Sequence, residues 1–178
     1  MVETPQQYTQ RILSNSAGKD ALRVQRGTAA QIKTLLKGLS KKQLNWRSEP
    51  GKWSINEIVA HLADTEIVVS WRMRLILGAN GTPIHAFDQD AWASALLYAK
   101  SDAKWSTNTF SILRENNLRL LKTIPKTAWE NYGMHSERGQ ESIEHIVKMM
   151  AGHDINHVRQ IEGVRKQLKA KGPKRKRA

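Results

Sequence analysis

Near the C-terminal end of the chain, Ile146, Met150, His153, His157, Ile161, Val164 and Leu168 follow a helical stripe, and two of these inward positions are histidines one turn apart. An imidazole facing the interior of a helix bundle needs a partner, because a polar group left unpaired there costs about 1–3 kcal/mol. Hydrogen bonds to neighbouring groups meet that need, and so does donation of a lone pair to a metal ion. At a spacing of four residues, His153 and His157 project from one helix face and can reach a single ion. His61 is the candidate third donor. It lies beside the apolar seam of Ile58, Leu62, Val69 and Ile76 in an earlier helical stretch. One imidazole from one helix and two from the helix facing it is a geometry that bundle interiors use for metal sites. The spacing alone leaves both chemistries open. The chain has no cysteine, which excludes thiolate ligands, disulfides and a cysteine nucleophile, and leaves His, Asp and Glu as metal ligands.

The other chemistry-bearing residues have structural explanations. Asp64 and Asp154, close in sequence to the histidines, read as helix-surface carboxylates, with orientation of a ligand as the alternative role. Glu57 is accounted for by helix capping. His145 lies on a similar face to His153 but in the first turn of its helix, while His85 and His135 read as surface or loop-ordering residues. The six tryptophans are expected in the core or as staples, with one available to wall an apolar substrate pocket.

Four long helices must position these residues. Leu22, Ala29, Ile32, Leu36 and Leu39 predict a helix from about Asp20 to Leu39, preceded by a shorter one around Pro5 to Ser14. After the Pro50-Gly51 turn, Ser54 and Glu57 form a capping box flanked by Trp53 and Ile58, so the second long helix starts there and runs to about Leu77. Gly78 to Pro83 reads as a turn and Asp88 to Lys100 as an additional short helix. The third long helix spans Asp102 to Ile124, with Phe110, Leu113, Leu120 and Ile124 inward, and Pro125 ends it. Lys126 to Gln140 reads as loop, and Ser142 caps a fourth helix reaching about Ala170. Long alternating runs of the kind strands require are absent, so the predicted fold is an all-α four-helix bundle.

The formal charge of +13 suggests nucleic-acid binding until it is located along the chain. Eight basic residues and no acidic ones lie between Arg165 and Arg177. The expected organisation is therefore a bundle over 1–170 and a disordered basic tail over 171–178, read first as a solubilising arm; a binding protein whose tail makes weak, non-specific nucleic-acid contact, or a bundle that binds metal without turnover, is the competing function. The start of the chain lacks a signal-peptide pattern, and no apolar stretch approaches the roughly 18 residues needed to span a bilayer. A cytoplasmic protein with no membrane association is expected.

The segment from Gly51 to Glu66, with Arg72 and Arg74 beyond it, resembles the first signature of the DinB/YfiT-like superfamily. Phe87 to Ala93, Gly133 to Gly139 and Gly152 to Ile161 resemble its later segments in order and spacing. The resemblance spans about Tyr8 to Arg165. It implies a four-helix bundle holding a divalent metal, commonly nickel or zinc, through a three-histidine set that maps onto His61, His153 and His157. Neutral nitrogen ligands also suit iron and copper. Three protein ligands leave coordination positions open for water or substrate, the arrangement of a catalytic site. Relatives implied by the resemblance include thiol-dependent S-transferases and metal-dependent hydrolases, and dimers are common among them. The expected partners are a small-molecule substrate, a low-molecular-weight thiol cosubstrate and a second copy of the chain.

Overall fold

The computed structural model describes residues 3–171. Its elements run α1 Pro5–Asn15, α2 Ala21–Leu36, α3 Lys41–Leu44, α4 Ile55–Gly78, β1 Thr82–Ile84, α5 Gln89–Ala95, α6 Ala103–Thr123, β2 Tyr132–His135, β3 Gly139–Ser142 and α7 Ile143–Lys171. The four long helices α2, α4, α6 and α7 form the bundle. α4 packs on α6 and α2 on α7, and contacts of α2 with α6 and α4 with α7 close the ring. α1 lies outside, along α7.

Capping side chains set where these helices begin, and hence which residues face inward. Ser54 Oγ accepts the Glu57 N–H at 3.3 Å, and the Glu57 carboxylate accepts the Ser54 N–H at 2.8 Å, closing the box read in the sequence. Asp20 and Asp102 cap α2 and α6 by accepting the N–H groups of Arg23 and Trp105. Ser142 Oγ accepts the His145 N–H at 3.1 Å at the start of α7.

Two apolar clusters fill the bundle. One gathers Ile32, Ile55, Ile58, Leu62, Phe110 and Ile161, with Trp53 packed against it. The other gathers Val69, Met73, Ile76, Leu121, Ile146 and Met150. The chain positions between them on α4, α6 and α7 carry polar side chains, and the functional site lies there.

Several expectations need correction. The Lys126 to Gln140 loop holds strand: β2 pairs antiparallel with β3 and parallel with β1 in the register Thr82↔Gly133 and Ile84↔His135. Runs of three and four residues are too short to show an alternating pattern. The predicted Asp88 to Lys100 helix is broken at Leu97, whose φ of 54° is left-handed, into α5 and a 3-10 turn at Tyr98–Lys100. On α6 the buried stripe is Phe110, Arg114, Asn117 and Leu121, while Leu113, Leu120 and Ile124 are half-buried beside it. Trp71 and Trp105 are 62% and 75% exposed, not core residues.

Of the predicted tail, residues 172–178 lie outside the described residues. Arg165, the first of the basic run, donates to the carbonyls of Thr34 and Leu35 at the end of α2, where the helix dipole favours a cation. No helix among the described residues is long and apolar enough to cross a membrane.

Candidate metal centre

His61 comes from α4, and His153 and His157 from α7. The Nε2 atom of His153 lies 3.1 Å from that of His61 and 3.1 Å from that of His157. The three rings are 1%, 5% and 6% exposed. Three lone-pair donors thus converge within 4.8 Å of one another, a cluster of the size one coordinated ion spans, given metal–nitrogen bonds of about 2.0–2.1 Å.

Burial keeps these imidazoles neutral, the form that can donate to a metal. It lowers the His61 pKa to about 3, with nearby His157 adding to the effect. It lowers His157 to about 4 against the opposing bond to Gln160. His153 is driven well below its ordinary value by burial, then by its two histidine neighbours and Arg114. The His157 Nδ1 atom is 2.9 Å from Gln160 Oε1, a contact that selects the tautomer with the proton on Nδ1 and the lone pair on Nε2. The Nδ1 atoms of His61 and His153 are buried without a protein partner. Trp53 walls the His61 ring at a centroid separation of 4.9 Å.

Next to the imidazoles lies a buried ion cluster. Arg114 donates to both oxygens of Glu66 at 3.0 and 2.8 Å and to both oxygens of Asp154, Nη2 to Oδ1 at 3.0 Å. Asn117 donates to Glu66 at 2.8 Å, and Thr28 donates to Asp154 at 2.8 Å. Burial disfavours the Arg114 cation, but Asp154 and Glu66 outweigh it and raise its pKa. One cation against two anions leaves the cluster net negative, which favours positive charge nearby.

Among the described residues, two adjoining cavities, both lined by Tyr8 and Gln89, reach the site. One, of about 300 Å³, is lined by His61, His153, Thr65, Arg72, Phe87 and Met150 among others. The second, of about 460 Å³, reaches His157 between Trp53, Gln160, Arg11 and Lys52. Arg72 is 8% exposed on the first wall, and burial lowers its pKa to about 10, which leaves it a cation at neutral pH.

All three sequence-predicted ligands are brought together here. Asp154 is corrected from a surface carboxylate to a 1% exposed member of the ion cluster. Asp64 accepts the Tyr98 hydroxyl at 2.6 Å and anchors the 3-10 turn instead of facing the site. His145 lies beside Glu141 at 3.9 Å, away from the imidazole cluster, and His85 is exposed. His135 is buried, and its Nδ1 accepts the N–H groups of Glu137 and Arg138, ordering the β2–β3 turn. Sequence reading missed Glu66, Arg114, Gln160 and Arg72 as site neighbours. The available signal was that Arg114 and Asn117 interrupt the stripe between Phe110 and Leu121.

Known proteins share this arrangement of helices. The chain is 25% identical over 130 residues to a protein of Oceanobacillus iheyensis provisionally named a metal-dependent hydrolase, covering 73% of this chain and 75% of that one. A Bacillus cereus protein of the same provisional name is 24% identical over 138 residues, covering 78% and 79%. YfiT of Bacillus subtilis, described as a probable metal-dependent hydrolase with an unusual four-helix bundle topology, superposes with a TM-score of 0.79 at 20% identity, covering 84% of this chain and 86% of that one. The sequence profile of the DinB superfamily matches residues 26–161, a span that holds all three imidazoles and most of the bundle, and the chain belongs to that superfamily.

Proposed function

We propose that the protein is a divalent-metal-dependent enzyme acting on a small molecule, with His61, His153 and His157 as the metal ligands and hydrolysis as its reaction. The convergence of three buried Nε2 atoms carries the reading. Nickel or zinc fits this neutral nitrogen set first, and iron or copper is compatible with it. Bound there, the ion would supply Lewis acidity and lower the pKa of an attacking water. The chain's own part is to hold three neutral donors in place. Gln160 fixes the tautomer of His157, the Arg114 cluster ties α4 to α7 through α6, and Trp53 covers the His61 ring. The provisional hydrolase names of the relatives support the same reading.

Transfer of a low-molecular-weight thiol is the second reading. Two adjoining cavities reach the imidazoles, one at His61 and His153 and the other at His157, room for a substrate and a cosubstrate, and with no cysteine in the chain the sulfur has to arrive as cosubstrate. Both readings are tested by comparing hydrolysis of an activated ester with conjugation of cysteine to an alkyl halide. The expected result is turnover in zinc- or nickel-loaded protein that chelation abolishes and the ion restores. Turnover indifferent to the chelator contradicts both, and the favoured substrate decides between them.

A further inference from the structure

Two arginines of the bundle are buried, and the fold treats them differently. Arg114 is held by two carboxylates. Arg72 donates one hydrogen bond, to the carbonyl of His85, and stands over the Phe87 ring at 5.9 Å from its centroid. Among the described residues no carboxylate is within ion-pairing distance of it. Glu141, the buried acid on the same cavity wall, is engaged by Arg138 at 2.6 and 3.1 Å, and Glu137 is exposed and screened by solvent. A guanidinium removed from water with no carboxylate in direct contact is costly, since Glu141 and Glu137 act on it only at longer range and Arg138 opposes them, and a ligand anion that fills its open donor positions recovers part of that cost.

Its placement relative to the imidazoles gives the ligand a shape. Arg72 follows His61 by eleven residues, three helical turns, so both lie on one face of α4 with their Cα atoms about 16 Å apart along the axis. Thr65 and Val69 line the cavity between them, and Val68, Met149 and Met150 add apolar wall. The planar guanidinium fork matches a carboxylate in two parallel hydrogen bonds. Glu3, Glu137 and Glu141 outnumber Arg72 and Arg138 in the cavity lining, which disfavours a dianion such as a phosphate monoester more than a single carboxylate.

We propose that this cavity receives a small organic acid with an apolar body, its carboxylate on Arg72 and its reacting group at the His61, His153 and His157 site. The substrate class rests on the reading of that site as catalytic; carboxylate capture by Arg72 does not.

The test is calorimetric titration of the full chain, metal-free and zinc-loaded, with 4-phenylbutyrate, 4-phenylbutyramide and phenyl phosphate. The acid is expected to bind at least about tenfold more tightly than the amide. Arg72→Gln should weaken the acid about tenfold or more and leave the amide within about twofold, with Arg72→Lys recovering part of the loss. No binding of the acid, equal binding of acid and amide, tighter binding of phenyl phosphate, or an acid affinity unmoved by Arg72→Gln overturns the proposal. Should that variant fail to fold, the Arg72 Nε–H resonance of the unmodified protein decides: it shifts on titration with 4-phenylbutyrate, or the proposal falls. Acid selectivity in a protein that takes up no metal keeps Arg72 as the anion site and removes the catalytic reading. Metal uptake without acid selectivity does the reverse.

Discussion

Arg114 Nη2 lies 3.0 Å from Asp154 Oδ1, so α6, which donates no imidazole, grips α7 at the residue that follows His153. The same guanidinium holds Glu66, five residues beyond His61 on α4. Replacing Arg114 with Met leaves two buried carboxylates without a cation, held only by Asn117 and Thr28, at an expected cost of about 3–5 kcal/mol. Urea unfolding should show that loss. Arg114→Lys should recover only part of it, because an ammonium cannot engage both acids as a fork does.

Gln160→Ala removes the group that orients His157 and leaves all three imidazoles in place. Loss of such a partner commonly weakens metal binding about 10- to 100-fold. Competition against a chromogenic zinc chelator reads the change, and affinity equal to that of the unmodified protein would show the 2.9 Å contact to be incidental.

A Cβ at Gly152 would lie 2.0 Å from the Ile12 carbonyl oxygen. Gly152→Ala must therefore displace α1 from α7, with a destabilisation of about 1–3 kcal/mol as in overpacked cores. Because Tyr8 of α1 lines both cavities, limited proteolysis near the N-terminus should accelerate in this variant. An unchanged melting temperature and cleavage rate would argue against the close packing.

The depressed histidine pKa values make the metal-free protein acid-sensitive. Above the ordinary histidine value of 6.5 the rings are neutral whether folded or unfolded, and their contribution is complete. Below it the unfolded chain takes up protons that folded His61 and His157 resist until about 3 and about 4. Stability should therefore fall as pH drops through this window, by up to about 1.4 kcal/mol per pH unit for each ring. Urea midpoints of metal-stripped protein between pH 7 and pH 5 measure the slope, and His61→Gln should reduce it by one ring's share.

The sequence was informative where a signal is local or periodic. Ser54 and Glu57 mark a helix start because both halves of a capping box lie within one turn, and His153 and His157 share a face because four residues make about one turn. His61 carried no local signal of its own. Its pairing with α7 depended on bundle geometry and on the resemblance of the flanking segments. The Arg114 cluster was hidden for a related reason: Glu66, Arg114 and Asp154 come from three helices, and each alone passes for a surface charge. The β1–β2–β3 sheet escaped because its strands are shorter than any period they could display.

Metal stoichiometry tests the central claim most directly. Tag-free protein, stripped with chelator, incubated with zinc or nickel and freed of excess ion, should retain one ion per chain by elemental analysis. His61→Ala, His153→Ala and His157→Ala should each lose it while keeping the helical circular dichroism of the bundle. An unmodified protein that retains no ion, or three variants that all retain it, would contradict a metal centre built from these imidazoles.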